Sequence, residues 1–415
     1  MRRRGSRPLH LVEVGVSWPP EAFLCRKLEG LAARGMRVTV AASLVLDERV
    51  ELRGVELLRM PHSRAGGSGP AWRAAIALLL TSPRRLVRLV RNVRQVPAEL
   101  AIRHGGTKGL LRMCLPLARL RPDVVQFEWN IAAVDHLPLF GVWRCPVVTS
   151  CRGSDVTVYP HVPSLRAYAD RLPEVMRRAH AVHCVSESLV HDARDFGLDP
   201  AKTRVIRPAV DAELFRPRLS GDRPGGGALR VLMVGGLRWE KGHEYALQAI
   251  RRVVDADVPV VLELVGDSPS GAVMSSNERA RITHTVADLG LEDHVSLRGR
   301  MTPDQLSRHL AQTDVLLHAS VAEGIPNVVL EAMACAIPVV ATNVGGVTEA
   351  VTDSVEGYVV EPRDPEQLAQ ALLRLARDPA VRARMGSAGR ARIEAGATLD
   401  AQLQEFLKMY REVAA

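Results

Sequence analysis

The chain has 415 residues, too many for one ordinary hydrophobic core, so two domains are expected. Hydrophobic residues at 47% and charged residues at 24% are the proportions of a soluble globular protein, and aromatics at only 4% argue against stacking platforms for single-stranded nucleic acid. The formal net charge of +9 rests on 50 arginines and five lysines, a balance that suits nucleic acid, anionic lipid or phosphorylated substrates and does not choose among them.

The first residues, MRRRGSRPLHLVEVGVSW, have the basic start and apolar run of a signal peptide. Glu13 interrupts that run and a helical pattern follows at once, so a buried strand over Leu9–Val16 is expected instead. The loop SWPPE, the amphipathic stretch AFLCRKLEGLAARG closed by Gly35, and the strand RVTVAA complete a strand–helix–strand unit, the opening of a doubly wound α/β domain. Gly15 is the loop's single glycine, so the GxGxxG dinucleotide signature is missing. Residues 73–121 carry eleven cations (ten arginines and Lys108) against one acid, Glu99. Within PRRLVRLVRNVRQV, Leu86, Leu89, Val90 and Val93 recur at helical spacing with arginines between them. Two readings stand: a basic amphipathic helix on an anionic membrane surface, or a solvated helix packing its stripe on its own domain.

Strands return at Asp123–Phe127 and Pro146–Ser150, and CRGSDV follows the second, at the carboxyl end where such sheets bind ligands. A salt bridge between Arg152 and Asp155 is the simplest expectation there, while His136 and His183 read as ordinary loop or strand histidines. After a last strand at Arg204–Ile206, RPRLSGDRPGGGALR has the composition of a linker. The boundary is therefore placed near residue 215, giving domains 1–214 and 215–398 and a terminal helix over 399–415. The second domain opens with LRVLMVGGLRWEKGHEYALQAI: a strand to Val234, a turn at Gly235-Gly236, and a helix near His243. Lys241 stands just before that helix, where a cation and free N–H groups together can hold a diphosphate. Asp255-Ala256-Asp257 spells a metal-binding DxD but sits at a helix end before Pro259, away from any strand's carboxyl edge, so no metal site is expected. The six cysteines (Cys25, Cys114, Cys145, Cys151, Cys184 and Cys335) show neither CxxC nor histidine partners at ligand spacing and read as buried thiols of a reducing compartment. No stretch approaches the roughly 18 uncharged apolar residues of a membrane span. A cytoplasmic protein is expected, at most peripheral on the inner face of the cell membrane.

The most informative stretch is DVLLHASVAEGIPNVVLEAMACAIPVVATNVGGVTE, Asp314 to Glu349. It reads as a strand over Val315–His318, a loop with Glu323-Gly324, a short helix with Pro326 at its first position, a strand over Val339–Ala341 and a turn at Gly345-Gly346. N–H groups around Asn327 and Val328 would favour an anion, with Glu323 before the helix end and Glu331 inside it. That shape suits a sugar nucleotide: diphosphate at the helix end, ribose on one side, transferred sugar on the other.

The spacing of Glu323 and Glu331 in EGIPNVVLE resembles the paired-glutamate motif of the GT4-type retaining glycosyltransferases, enzymes of the GT-B fold. The resemblance implies two Rossmann-like, doubly wound parallel-sheet domains facing a central cleft, with the nucleotide sugar on the second and the acceptor on the first. It implies hexosyl transfer to a glycan, glycolipid or lipid-linked acceptor, with no cofactor and no metal; the few aromatics and absent motifs set aside a nucleic-acid partner. By the same resemblance, Glu323, Lys241 and Arg238 act at the reacting sugar and diphosphate. Glu331, Gly236, Gly266, Gly324, Ile325, Pro326, Asn327, Arg300 and Met301 surround the nucleotide sugar, the last two near its base. Glu21, Arg152 and Asp155 lie on the acceptor side. Three positions depart from the family pattern. Gly236 stands where an arginine is usual, with Arg238 two residues on; Arg152 replaces the histidine of HGxD; Ala209 replaces the glycine of PxGVDxxxF. A sugar-nucleotide epimerase and a non-catalytic nucleotide-sugar binder are the alternative readings.

Overall fold

The computed structural model describes residues 7–61, 69–217, 227–267 and 277–415. The basic start, most of the expected linker, and the Ser268-Pro269 end of VGDSP lie outside the described residues. The chain divides into two compact units, Met1–Ile206 together with Leu403–Ala415, and Arg207–Gln402.

The first unit is built on seven parallel strands: β1 (His10–Val14), β2 (Arg37–Ala42), β3 (Val55–Arg59), β4 (Val124–Phe127), β5 (Val147–Cys151), β6 (Ala181–Cys184) and β7 (Thr203–Val205). They are ordered β3-β2-β1-β4-β5-β6-β7. Strands β4, β5 and β6 are buried at every residue, as a parallel sheet covered on both faces requires. The strand order reverses between β1 and β4, where Leu11 pairs with Val38 on one side and Val124 on the other. β1 ends at Val14 rather than Val16 because Gly15 turns the chain at φ +81, and a Cβ there would lie 2.4 Å from the Cβ of Ala132.

The second unit has six parallel strands: β8 (Leu229–Val234), β9 (Val260–Val265), β10 (Val295–Gly299), β11 (Val315–His318), β12 (Val339–Thr342) and β13 (Gly357–Val360). Their order is β10-β9-β8-β11-β12-β13, with the reversal between β8 and β11. The two-residue period of a strand divides the core. Val231, Met233, Val315 and Leu317 join Leu247, Ile250 and Leu372 on one face, while Leu232 and Leu316 join Val329, Met333 and Ile393 on the other.

The units divide at residue 206 rather than the expected 214. Val210 and Phe215 are buried in the cluster of Val329 and Met333, and Arg390 donates to the carbonyls of Ala212, Phe215 and Ala334. The chain therefore enters the second unit's core before the linker begins. The terminal helix, Leu399–Ala414, belongs to the first unit from Leu403 onward. Leu403 packs on Gly30, where a Cβ would come within 2.4 Å of it, and Phe406 meets the ring of His183 edge-on at 5.0 Å.

Residues 69–119 form helices Gly69–Thr81, Pro83–Arg94 and Gly106–Arg119, the last two joined through short helical turns at Ala98–Ala101 and Ile102–His104. In Pro83–Arg94, Leu89 and Val93 are buried and Leu86 and Val90 half-buried, so its apolar stripe faces its own domain. The six cysteines are free thiols.

Candidate functional site

Four loops converge at the carboxyl edge of the second sheet, on either side of its order reversal, the place where open α/β sheets bind ligands. The loop after β8 turns at Gly235-Gly236, makes one short turn over Trp239–Lys241, and enters helix His243–Asp255 through Gly242. Gly242 has φ +69, and a Cβ on it would stand 2.0 Å from the carbonyl oxygen of Ala319, so only glycine lets this loop close on the end of β11. Val321 N–H then donates to the Glu240 carbonyl at 2.8 Å. The loop after β12 is clamped likewise: Gly346 N–H donates to the Gly324 carbonyl at 2.8 Å. Gly266, at the end of β9, lies against the Gly235 carbonyl, where a Cβ would come within 1.8 Å.

These clamps bring Lys241 onto Glu323. The Lys241 ammonium donates to Glu323 Oε1, the Ser320 hydroxyl donates to the same oxygen at 3.1 Å, and His318 Nε2 stands 3.5 Å away. Both side chains of the pair are about 15% exposed, enough to meet a ligand while shielded from bulk water. Burial opposes ionisation of Glu323, but Lys241 and then His318 outweigh it and its pKa falls below the ordinary carboxylate value. Burial lowers His318 to about 4, so its ring is neutral at physiological pH. Ser320 is held from behind by Thr342, whose hydroxyl donates to its carbonyl at 2.5 Å.

The helix Asn327–Ala334 opens directly after this loop. Pro326 precedes its first turn, one residue outside the helical position expected for it, and supplies no side-chain oxygen to cap the free N–H groups. Gly324, Ile325 and Pro326 are buried and Asn327 half-exposed; Glu331, one turn into the helix, is 8% exposed. Arg238 is part-exposed, its Nε 3.1 Å from Glu240 Oε1. At Gly236 a Cβ would meet nothing closer than 3.7 Å, from Arg238 Nε and the Asp267 carbonyl, so Arg238 lies over the position that lacks a side chain. Arg300, exposed, and Met301, half-buried, follow β10 at the same edge. Asp255 closes its helix paired to Arg251 at 2.7 Å, and Asp257 sits in a turn before β9, at the other edge of the sheet. Among the described residues no cluster of three His, Cys, Asp or Glu side chains could hold a metal ion.

In the first unit, the expected Arg152–Asp155 salt bridge is replaced by another arrangement. Asp155 Oδ1 accepts the backbone N–H groups of Arg152 and Gly153, each at 2.9 Å, and Asn130 donates to its other oxygen at 2.7 Å. Burial nevertheless raises Asp155 to about 6. The Arg152 guanidinium instead grips Glu128, with Nη2 at 2.6 Å and Nε at 2.7 Å from Oε2, and stacks over the Phe23 ring at 4.3 Å. Glu128 also accepts from the buried Lys27, whose ammonium lies 3.5 Å from Glu13. Burial works against the charge on Glu128, but Arg152 and Lys27 prevail and its pKa is lowered; burial raises Glu13 despite Lys27. The sequence carries only weak signals for this group of four ionisable side chains: Glu13 interrupts an apolar strand and Lys27 is one of five lysines. Glu21, exposed, takes the position before helix Ala22–Ala33 without capping it through its side chain. His183 is tied to Ser150 and the Ile206 carbonyl, and His136 to the Ala132 carbonyl, as ordinary buried histidines.

Residues 223–392 match the family model described as glycosyl transferases group 1, and residues 21–214 match that of glycosyltransferase family 4. A D-inositol 3-phosphate glycosyltransferase of Acidothermus cellulolyticus is 36% identical over 46% of this chain and 44% of its own length. One from Streptomyces bingchenggensis is 33% identical over 47% and 44%. The matches thus span under half the length of these two relatives. Among solved structures, the sucrose-phosphate synthase of Thermosynechococcus elongatus superposes with a TM-score of 0.75 at 21% identity, covering 97% of this chain and 98% of its own. Anabaena HepE in complex with UDP-glucose gives 0.72 at 18%, covering 97% and 100%. The likeness to both is one of fold.

Proposed function

Because the chain belongs to the GT4-type, group 1 glycosyltransferases, we propose that it moves a hexosyl group from a nucleoside-diphosphate sugar to an acceptor hydroxyl, with retention at the anomeric carbon and without a metal. The observation that carries this reading is the Lys241–Glu323 pair, held by glycine-dependent loop closures beside the uncapped start of Asn327–Ala334. The entering diphosphate takes Lys241 and the free N–H groups of that helix, which stabilise the charge growing on it as the sugar leaves. Arg238 supplies the second cation in place of a side chain at Gly236. Glu323, released from Lys241, accepts from hydroxyls of the transferred sugar and supports positive charge at its anomeric carbon. Glu331 holds the ribose hydroxyls, and the backbone at Arg300 and Met301 meets the base. The acceptor hydroxyl attacks from the face the diphosphate leaves; the new C–O bond forms as the old one breaks, and the hydroxyl proton passes to the departing phosphate oxygen. The first unit binds the acceptor, a glycan or lipid-linked sugar, through the loops that carry Glu21, Arg152 and Asp155.

The relatives favour uridine as the base, since HepE was solved with UDP and with UDP-glucose. The test is a screen of UDP-, GDP- and ADP-sugars for thermal stabilisation, followed by transfer in EDTA with the product's anomeric configuration read by NMR. Stabilisation by one donor class and a retained configuration are expected. No stabilisation by any donor, or an inverted product, refutes the proposal.

A further inference from the structure

The helix Gly69–Thr81 is apolar beyond the face it buries. Ala71, Ala74 and Leu78 turn inward and are at most 5% exposed. Trp72, Ile76, Leu79 and Leu80 follow at helical spacing on another stripe and are 67%, 56%, 59% and 78% exposed. A helix with solvent on its free face ordinarily carries polar groups there. Large apolar side chains lined up in this way mark a contact surface, whereas scattered single ones mean nothing. Val87 and Ile102, also largely exposed, extend the apolar character into the following helical segments.

The surroundings of the stripe select its partner. Arg73, on the same helix, and Arg84, Arg88 and Arg91, on the next one, are exposed, and among the described residues no carboxylate pairs with them. Arg88 donates only to the Gly141 carbonyl. Arg85 is pressed by Arg121 and Arg144 as well as by burial, so positive charge here is uncompensated. A second protein copy would be better met by neutral or complementary charge near the stripe, and the exposed arginines on this helix and the next are of one sign. An apolar stripe with a tryptophan, followed one residue later in the chain by a helix of exposed arginines, fits the boundary between headgroups and acyl chains of an anionic bilayer.

We propose that Gly69–Thr81 is a membrane-docking helix, inserting Trp72, Ile76, Leu79 and Leu80 among the acyl chains while Arg73, Arg84, Arg88 and Arg91 meet anionic headgroups. The element that enters is not the arginine-rich helix Pro83–Arg94, whose stripe is spent on its own domain; that helix supplies only the charge. No described helix is long and apolar enough to cross a membrane, so the attachment is one-sided. It does not depend on the reaction assigned above.

The test is flotation of the full chain with phosphatidylcholine vesicles, pure or containing one-quarter phosphatidylglycerol. Binding to the anionic vesicles only, reversed by raising salt, is expected. Replacing Arg84, Arg88 and Arg91 with glutamine should weaken it roughly a hundredfold, from about three headgroup attractions lost. The decisive variant is Leu79→Ser with Leu80→Ser, which leaves every arginine in place and alters only exposed side chains. It should bind at least roughly tenfold more weakly, with an unchanged circular-dichroism melting curve as the control for folding. A blue shift of tryptophan emission on wild-type binding should vanish in Trp72→Phe. Binding by the serine variant equal to wild type, equal flotation with both vesicle types, or none with either overturns the proposal. So does a wild-type dimer that the serine variant converts to a monomer, which would give the stripe to a second copy of this chain.

Discussion

Lys241 is engaged by Glu323, and for the proposed function this makes a prediction that a simple binding role would not. Its ammonium is held by Glu323, with Ser320 supporting the same oxygen. On the proposed reading, a nucleoside diphosphate draws Lys241 away from that carboxylate and settles its own charge nearby. Lys241→Met removes charge-assisted hydrogen bonds worth about 1.5–3 kcal/mol, so UDP should bind roughly 10- to 150-fold more weakly. Glu323→Gln keeps the shape, frees Lys241 and removes a negative charge a few ångströms from the incoming phosphates. With an effective dielectric constant near 20 and some screening, that relief is about 1–2 kcal/mol, so UDP should bind at least roughly fivefold more tightly while turnover collapses. The two changes are not additive: in the Lys241→Met background, Glu323→Gln should gain less, because no competition for the ammonium remains. Calorimetric titration of UDP into the four proteins completes the cycle. If Glu323→Gln weakened UDP binding as much as Lys241→Met does, the competition would be wrong, and Glu323 would have to act by positioning Lys241.

Glu331→Ala, in contrast, should cost about 1–3 kcal/mol of UDP affinity and little of the affinity for inorganic pyrophosphate, since only UDP carries the ribose; equal losses on both would refute the ribose role. Arg238→Ala should lower kcat/KM for transfer, and adding Gly236→Arg should restore part of it, because a Cβ at 236 meets only ordinary contacts; no rescue would leave Lys241 as the sole cation named for the diphosphate. Lys27→Met leaves Glu13 and Glu128 buried together, with Arg152 still on the latter, and should cost about 3 kcal/mol, or roughly 6–12 °C of melting temperature in the first unit. Burial lifts Glu13 above its ordinary value, so the folded protein holds that proton more tightly than the unfolded chain does. Its contribution to stability is therefore full below pH about 4.5 and lost progressively as pH rises through about 8; Glu13→Gln should flatten that slope in denaturant titrations.

Much of the second unit could be read from the sequence because its signals are local. EGIPNVVLE and EKG place a strand end, a loop and a helix start within a few residues each, and Val315–Leu317 is an unbroken apolar run. What stayed hidden depends on contacts remote in sequence. β3 is a short edge strand with no fully buried residue, reached from β2 without the helix that would mark a strand–helix–strand unit. Arg152 was expected to pair with its near neighbour Asp155; its real partner, Glu128, is 24 residues away on the adjacent strand's end, while backbone N–H groups satisfy Asp155. The apolar stripe of Pro83–Arg94 and that of Gly69–Thr81 look alike in sequence, and only packing shows that the first is buried and the second is not.

The return of the terminal helix has a consequence for synthesis. Tyr410 donates to Gln126 across 284 residues, Leu403 fills the notch at Gly30, and Phe406 lies 4.7 Å from the Lys27 ammonium. These pieces of the first unit leave the ribosome after the whole of the second. At roughly 5–20 residues per second, the nascent first unit stands for about ten seconds or more with that notch open and Lys27 uncovered on one side. It is a surface on which a chaperone or a neighbouring nascent chain can act, and it closes only when the last helix arrives.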